Sequence, residues 1–394
     1  MGPTRRQVLL GGAVAGVGAV TAVSLDQALR GPEPAGTDRI HGDAIVAFHG
    51  THQAGIATPA QAHATFLGLD LRADVDRDAL RRMMRILTDD AARLTQGRPA
   101  LADSEPELAV APARLTVTVG FGPGLVDRAA GARPAWLAPL PSFSIDRLQP
   151  EYCDGDLLLQ VAADDPLTVA HATRMLLKDA RGFATLRWTQ HGFRRARGTE
   201  APDTTMRNLF GQVDGTTNPV PGTPEFDQVV WATDGWLAGG TALVIRRIHM
   251  DLDRWDRLDR GGREQSVGRF LSNGAPLTGR LEHDEPDLDA VTALGFPVIP
   301  EFSHLRRARS QDPAERILRR VYNYDVPAGG EQVSASGMIF VALQADVARQ
   351  YVPIQQRLAD LDLLNEWTTP IGSAVFAVPP GCEPGGYLGE TLLS

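Results

Sequence analysis

Apolar positions recur along the chain in two rhythms, and the same order of rhythms occurs twice. In the first half, alternation predicts strands over 44–48 and 64–71. A helix follows over 74–94, with Val75, Leu80, Met83, Met84 and Leu87 on one side. Further strands are predicted over 115–119 and 157–162. Asp165-Pro166 then starts a helix to about residue 178, with the aspartate as cap and proline at the first position. The second half gives a strand over 241–250, a helix starting over 252–258 and a strand over 337–344. Asp346 caps a helix that places Val347, Tyr351, Ile354 and Leu358 on one face. The local texts also correspond: F-L-G-L-D-L-R-A-D-V-D-R with V-I-R-R-I-H-M-D-L-D-R, and L-L-L-Q-V-A-A-D-D-P with I-F-V-A-L-Q-A-D. The pattern predicts one α+β unit used twice, each a split β-α-β with an antiparallel sheet. The domains expected are 41–205 and 206–394, with 188–207 as the link.

Residues 1–40 stand apart. Thr4-Arg5-Arg6-Gln7-Val8-Leu9-Leu10 precedes an apolar run, rich in Gly and Ala, from Gly11 to Val23. Charge, a short apolar run and small residues make a secretory signal, and the paired arginines resemble the twin-arginine export signal. The run is too short and glycine-rich for a span of about 20 apolar residues. Export to the periplasm, cell surface or medium is therefore expected, with no integral membrane association after cleavage. The chain has 394 residues, 43% of them hydrophobic, enough for a sizeable core. Its formal net charge of −9 argues against nucleic acid or an anionic membrane as the main partner. The two cysteines, Cys153 and Cys382, lack any C-x-x-C spacing, against a disulfide scaffold or a structural zinc; their pairing is left open.

One carboxylate occupies an unusual setting near the middle: Asn208-Leu209-Phe210-Gly211-Gln212-Val213-Asp214-Gly215-Thr216-Thr217-Asn218-Pro219. The glycines permit a sharp turn and close approach to a flat ligand, and Asn-Pro stops any regular element. An acid on such a turn suits proton transfer, although Asp-Gly is also ordinary surface-turn chemistry. Of the nine histidines, composition selects none. His49 and His52 have H-x-x-H spacing but sit on a turn, and they read as structural.

This G-x-x-D-G-T-x-N-P stretch resembles the signature of the dye-decolourising peroxidases, a haem family. His49 to Ile56, Val117 to Gly122, Leu159 to Asp165, Trp188 to Phe193, Ser272 to Leu277, Arg316 to Arg320 and Glu366 to Gly381 resemble successive blocks of that family. The resemblance implies two ferredoxin-like domains of the dimeric α+β barrel type, with one haem b per chain held mainly by the second. It implies an exported haem peroxidase that oxidises bulky donors such as dyes and phenolics with hydrogen peroxide, by one-electron steps through a ferryl intermediate. The alternative in the same family is a deferrochelatase-like protein releasing iron from haem. By this resemblance His304, in Ser303-His304-Leu305-Arg306-Arg307-Ala308, is the iron ligand, and the cations at 306, 307 and 309 are candidates for the haem propionates. Asp214 becomes the acid–base group and Arg319 the distal arginine, with Arg320 as its rival; on a strand the two face opposite ways. Gly215, Thr216, Arg247 and Arg306 are further cofactor contacts, Arg246 a weaker one, and Asn218 and Thr216 fix the Asp214 loop. The acceptor for the second ring nitrogen of His304 is left among Asp360, Asp362, Asn365 and Glu366. The identity of the organic donor, the aromatic residue that passes electrons to it and self-association are left open.

Overall fold

In a computed structural model, residues 41–330 and 334–394 are described; the stretch expected to be an export signal lies outside the described residues. The first half runs β1 (His63–Leu71), α1 (Arg77–Leu94), β2 (Thr116–Phe121), β3 (Leu157–Ala163), α2 (Pro166–Ala180) and β4 (Ala184–Phe193). The second half runs β5 (Thr241–Met250), three short helices including α3 (Arg260–Val267) and α4 (His304–Ala308), then β6 (Leu318–Arg319), β7 (Tyr322–Val326), β8 (Ala335–Gln344), α5 (Val352–Leu361) and β9 (Thr368–Val378). Pairing is antiparallel throughout, in the order β2-β3-β1-β4 for the first half. In the second half β9 pairs β5, β5 pairs β8, and β8 takes β6 and β7 in turn along one edge. Each half is thus a βαββαβ unit with a ferredoxin-like strand order. Single residue pairs, Phe121 with Ala377 and Phe193 with Asn323, join the two sheets at both edges, so the strands close into a barrel.

Alternation sorts the side chains between two cores. Ala64, Phe66, Leu158, Leu243, Ile245, Ile339, Val341 and Phe376 share one buried cluster inside the barrel. Leu67, Leu69, Val117, Leu159, Val161, Ala242 and Val244 pack with the helices outside it. Asp76 and Asp165 cap α1 and α2 by accepting Ala79 N and Thr168 N, each at 2.8 Å.

Three local expectations change. Residues 44–48 are extended but form no ladder; Ala44 O and Val46 O accept single bonds from Arg114 N and Gln96 Nε2. Trp188–Phe193 is not linker but the end of β4, paired with β1, so the connection begins at Arg194. The helix after Asp346 opens with a π turn over Val347–Tyr351 before α5. That widened turn divides the expected face: Val347 and Tyr351 enter the core, while Ile354 and Leu358 line the cavity below. Cys153 and Cys382 are both buried and free.

Candidate active site

A cavity of about 570 Å³ opens beside the outer face of β8 in the second half. It is within the size range of small-molecule and cofactor sites, roughly 300–1,000 Å³. Phe210, Ile248, Val267, Met338, Phe340 and Leu364 give it apolar walls. Into it project Asp214, Arg319 and His304, residues far apart in sequence.

The Asp214 turn is no surface turn. Gly211 and Gly215 adopt φ of 78° and 128°, open to glycine and strained for other residues. Asn208 Oδ1 accepts the N–H groups of Phe210 and Gln212, an Asx turn. Arg207 pairs with Val213 in an isolated bridge, and its guanidinium donates to the carbonyls of Gly211, Leu271 and Ser272. Asp214 N donates to Met206 O at 2.8 Å, leaving the carboxylate 12% exposed.

Arg319 Nη1 donates to Asp214 Oδ1 at 3.1 Å. Arg320 faces the other way, to Thr58 O at 2.5 Å and Gln61 Oε1 at 2.6 Å in the first half. The pairing of Leu318 with Leu343 and Arg319 with Ala342 fixes this choice. Asn218 grips the backbone of Arg319 at both groups: Asn218 Oδ1 accepts Arg319 N at 3.0 Å and Asn218 Nδ2 donates to Arg319 O at 2.7 Å. One side chain therefore ties the Asp214 loop to the strand that carries its partner. Thr216 Oγ1 donates to Glu282 Oε1 at 3.0 Å, and Gly215 and Thr216 both line the cavity.

His304 opens the short helix α4, and its Nδ1 lies 2.6 Å from Asp362 Oδ2. Of the four acceptors left open by the sequence, Asp362 is the one in place; its Oδ1 accepts Leu364 N at 2.9 Å, which fixes the carboxylate. The proton belongs on Nδ1, which leaves the Nε2 lone pair available to a metal. Burial presses the imidazole pKa down, but the charge and hydrogen bond of Asp362 outweigh it and hold it above the ordinary value. Arg319 and Asp214 also act on it electrostatically, with opposite signs.

Two expected cofactor contacts are corrected. Arg247 shares the barrel face with Leu243 and Ile245; its guanidinium lies 3.7 Å from the ring centre of Tyr324 and 4.6 Å from that of Tyr152, away from the cavity. Arg306 is committed to Leu288 O, Ile299 O and Glu301, and does not line the cavity. Arg246 is buried against Asp146, outside the lining. Among the cations near His304, Arg309 is the one that lines the cavity, paired with Glu285. His49 and His52 bond to Cys382 O and Gly239 O, and His52 stacks on Trp231. Sequence reasoning missed Arg269 and the inward role of Arg316, both in the lining. Arg269 donates to Gly274 O and Glu282 O, and burial first, then the charge of Arg319, lowers its pKa. Arg269 lay just before a block singled out by resemblance, the one available signal.

A single imidazole with free Nε2, apolar walls and cations at the rim fit a haem, whose porphyrin brings the other iron ligands. Comparison with known proteins agrees. Family models described as Dyp-type peroxidase, N-terminal, and Dyp-type peroxidase, C-terminal, match residues 53–194 and 205–383. The dye-decolorizing peroxidase of Thermobifida fusca is 41% identical over 359 residues, covering 86% of this chain and 83% of that protein. A deferrochelatase of Yersinia pseudotuberculosis is 34% identical over 423 residues, covering 99% and 95%. The crystal structure of a DyP-type peroxidase from Cellulomonas bogoriensis superposes with a TM-score of 0.87 at 55% identity, covering 90% of this chain and 99% of that one. The chain belongs to the Dyp-type peroxidase family and is a haem-dependent oxidoreductase with that family's two ferredoxin-like domains.

Proposed function

We propose that this protein oxidises bulky organic donors, such as dyes and phenolics, with hydrogen peroxide, using one b-type haem held by His304 Nε2. The absence of any C-x-x-C spacing in the sequence favours a haem held without thioether links. The observation that carries the reading is the Asp214–Arg319 pair at 3.1 Å in the same cavity as the His304–Asp362 pair. A haem bound here would supply the redox chemistry by which the two oxidising equivalents of peroxide reach donors one at a time. Asp214 accepts the proton of the inner peroxide oxygen and returns it to the outer one, which leaves as water. The Arg319 charge stabilises the negative charge that develops on the leaving oxygen. Asp362 holds the His304 ring and raises its basicity toward the iron.

Haem or iron handling is the second reading, because relatives named deferrochelatase align over nearly the whole chain. An acid held against a cation serves peroxide cleavage and has no evident use in haem storage, so the peroxidase reading is preferred. Export by the twin-arginine route belongs to the same proposal: it carries folded proteins and suits a chain loaded with haem before export.

The test is the absorption spectrum of the haem-loaded protein before and after one equivalent of hydrogen peroxide at mildly acidic pH. A Soret band that shifts within seconds and returns when a donor dye is added supports the reading. A spectrum indifferent to peroxide moves the conclusion to haem or iron handling.

A further inference from the structure

One side of the cavity is closed by a segment unlike its other walls. Residues 309–317 run from the end of α4, which carries His304, to the start of β6, which carries Arg319, and all of them except Ala314 line the cavity. The other walls include β5, β8, α5 and the Asp214 turn, each held by a ladder, a helix or buried side-chain bonds. The strap 309–317 has neither ladder nor helix. Asp312 N donates to Ser310 Oγ at 3.0 Å, Ala314 N to Asp312 Oδ1 at 2.8 Å and Glu315 N to Asp312 O at 3.1 Å, bonds that close the strap on itself. Pro313 and Ala314, the apolar residues of 309–316, are both exposed. A wall with few buried apolar contacts and mostly local hydrogen bonds opens at the least cost.

Side chains tie the strap to the body near its ends. Arg357 on α5 reaches both: its Nε donates to Arg307 O at 3.4 Å and its Nη1 to Glu315 Oε2 at 2.6 Å. Glu315 also accepts the Ser310 hydroxyl. Arg316 donates to Thr217 O at 2.9 Å and pairs with Glu225, and Arg309 pairs with Glu285 at the surface. The Glu315–Arg357 pair is the better enclosed, at 19% and 28% exposure, and is the strongest of the ion-pair ties. His304 and Arg319 do not depend on the strap. Asp362 holds the first, and Asn218 together with the pairing of β6 on β8 holds the second.

We propose that the strap 309–317 is the door through which haem enters and leaves the cavity, and that the Glu315–Arg357 pair is its latch. This rests on the cavity being the haem site. Opening the strap breaks side-chain ties and leaves both His304 and Arg319 in place, whereas opening another wall breaks a ladder or unwinds a helix. The latch therefore sets how fast haem exchanges, separately from the strength of its bond to His304.

The test follows haem leaving the ferric, haem-loaded protein for an excess of apomyoglobin, by absorption, and ferric haem entering the haem-free full chain, by stopped flow. Glu315→Gln keeps the size of the side chain and removes its charge; Arg357→Gln removes the charge of the partner. Either should speed both entry and exit about three- to tenfold, the worth of one hydrogen bond in such a pair, with the Soret band as in the parent. The double variant should be no faster than the faster single one, because the same pair is broken in all three. Exit rates unchanged in both single variants overturn the proposal. Faster exit without faster entry also overturns it, since that marks weaker binding and not a door. His304→Ala reads the site itself. If it keeps haem as long as the parent, the cavity is not the haem site and the proposal falls with that reading. If it loses haem quickly while Glu315→Gln and Arg357→Gln behave as the parent, the latch alone fails.

Discussion

Replacing Arg319 and Arg320 one at a time with leucine separates chemistry from stability at adjacent positions. Arg319 is 21% exposed, and its side chain donates to one carboxylate, Asp214, at 12% exposure. A partly solvated pair of this kind is worth about 0–1 kcal/mol to folding. Its position beside the reacting oxygen is another matter: losing one preorganised stabiliser of developing charge costs about 10²–10³ in rate. Arg320 is 4% exposed and donates to Thr58 O and to Gln61 Oε1. Gln61 is itself fully buried and donates to Arg114 O and Thr116 Oγ1, so Arg320 closes a network that joins the two halves. Charged hydrogen bonds are worth about 1.5–3 kcal/mol each, and truncation strands one buried acceptor, Gln61 Oε1, and one partly buried one, Thr58 O. Allowing for the relief of burying a charge, Arg320→Leu is expected to cost about 3 kcal/mol. Stopped-flow absorption with peroxide and thermal melting of both variants read the two effects. Arg319→Leu should slow the peroxide step by about a hundredfold or more with a small change in melting, and Arg320→Leu should melt several degrees lower with a rate close to the parent's. A crossed result, with the rate lost in Arg320→Leu and kept in Arg319→Leu, refutes the assignment of Arg319 to the cavity.

Asn218→Ala removes both bonds to the Arg319 backbone, and it should cost about 2 kcal/mol and slow the peroxide step while haem content holds; thermal melting and stopped-flow kinetics read both. Asp362→Asn should keep haem on His304 yet raise its reduction potential, because the ring loses a charged acceptor; spectroelectrochemistry decides it. Asp179 carries a pH prediction remote from the site: burial, then the charge of Asp90 and a hydrogen bond shared with it, push its carboxyl up to about 7. Its folded pKa lies above the unfolded value, so the folded state binds the extra proton; stability is fullest below pH about 4 and falls as pH rises toward 7. Asp179→Asn should abolish that fall and raise stability at neutral pH; melting curves across the range that stay parallel to the parent's would count against it.

The strands legible in the sequence are those whose two faces are both apolar. β1, β3, β5 and β8 each pack one face inside the barrel and the other under helices, so their apolar runs announce them. β4, β7 and β9 escape the apolar pattern. Each contributes to a seam, and polar residues enter the interior on two of them: Gln190 on β4 is 1% exposed and Asn323 on β7 is 5% exposed. β2, at the first seam, carries buried Thr116 and Thr118 but keeps enough alternation to be legible. β9 further contains Pro370 and Gly372 at the point where its pairing with β5 slips between Arg247 and Ile248. An apolar run in the wrong setting misleads equally: 44–48 has the composition of a strand but finds no ladder.

The site divides along the same line, between what a residue is and which way it points. The Asp214 turn carries its own geometry in its glycines and in Asn208, but nothing local tells it from a surface turn. What does is Arg319, 105 residues away, as Asp362 does for His304 at a separation of 58. Alternation states that one of Arg319 and Arg320 enters the cavity; only the register of β6 on β8 says which. Arg247 shows the converse, since its charge suggests a propionate partner while its place on β5 sends it between two tyrosine rings. Arg306 is likewise a visible cation spent on backbone carbonyls. Charge and pattern thus nominate the residues of such a site, and hydrogen-bond accounting decides among them.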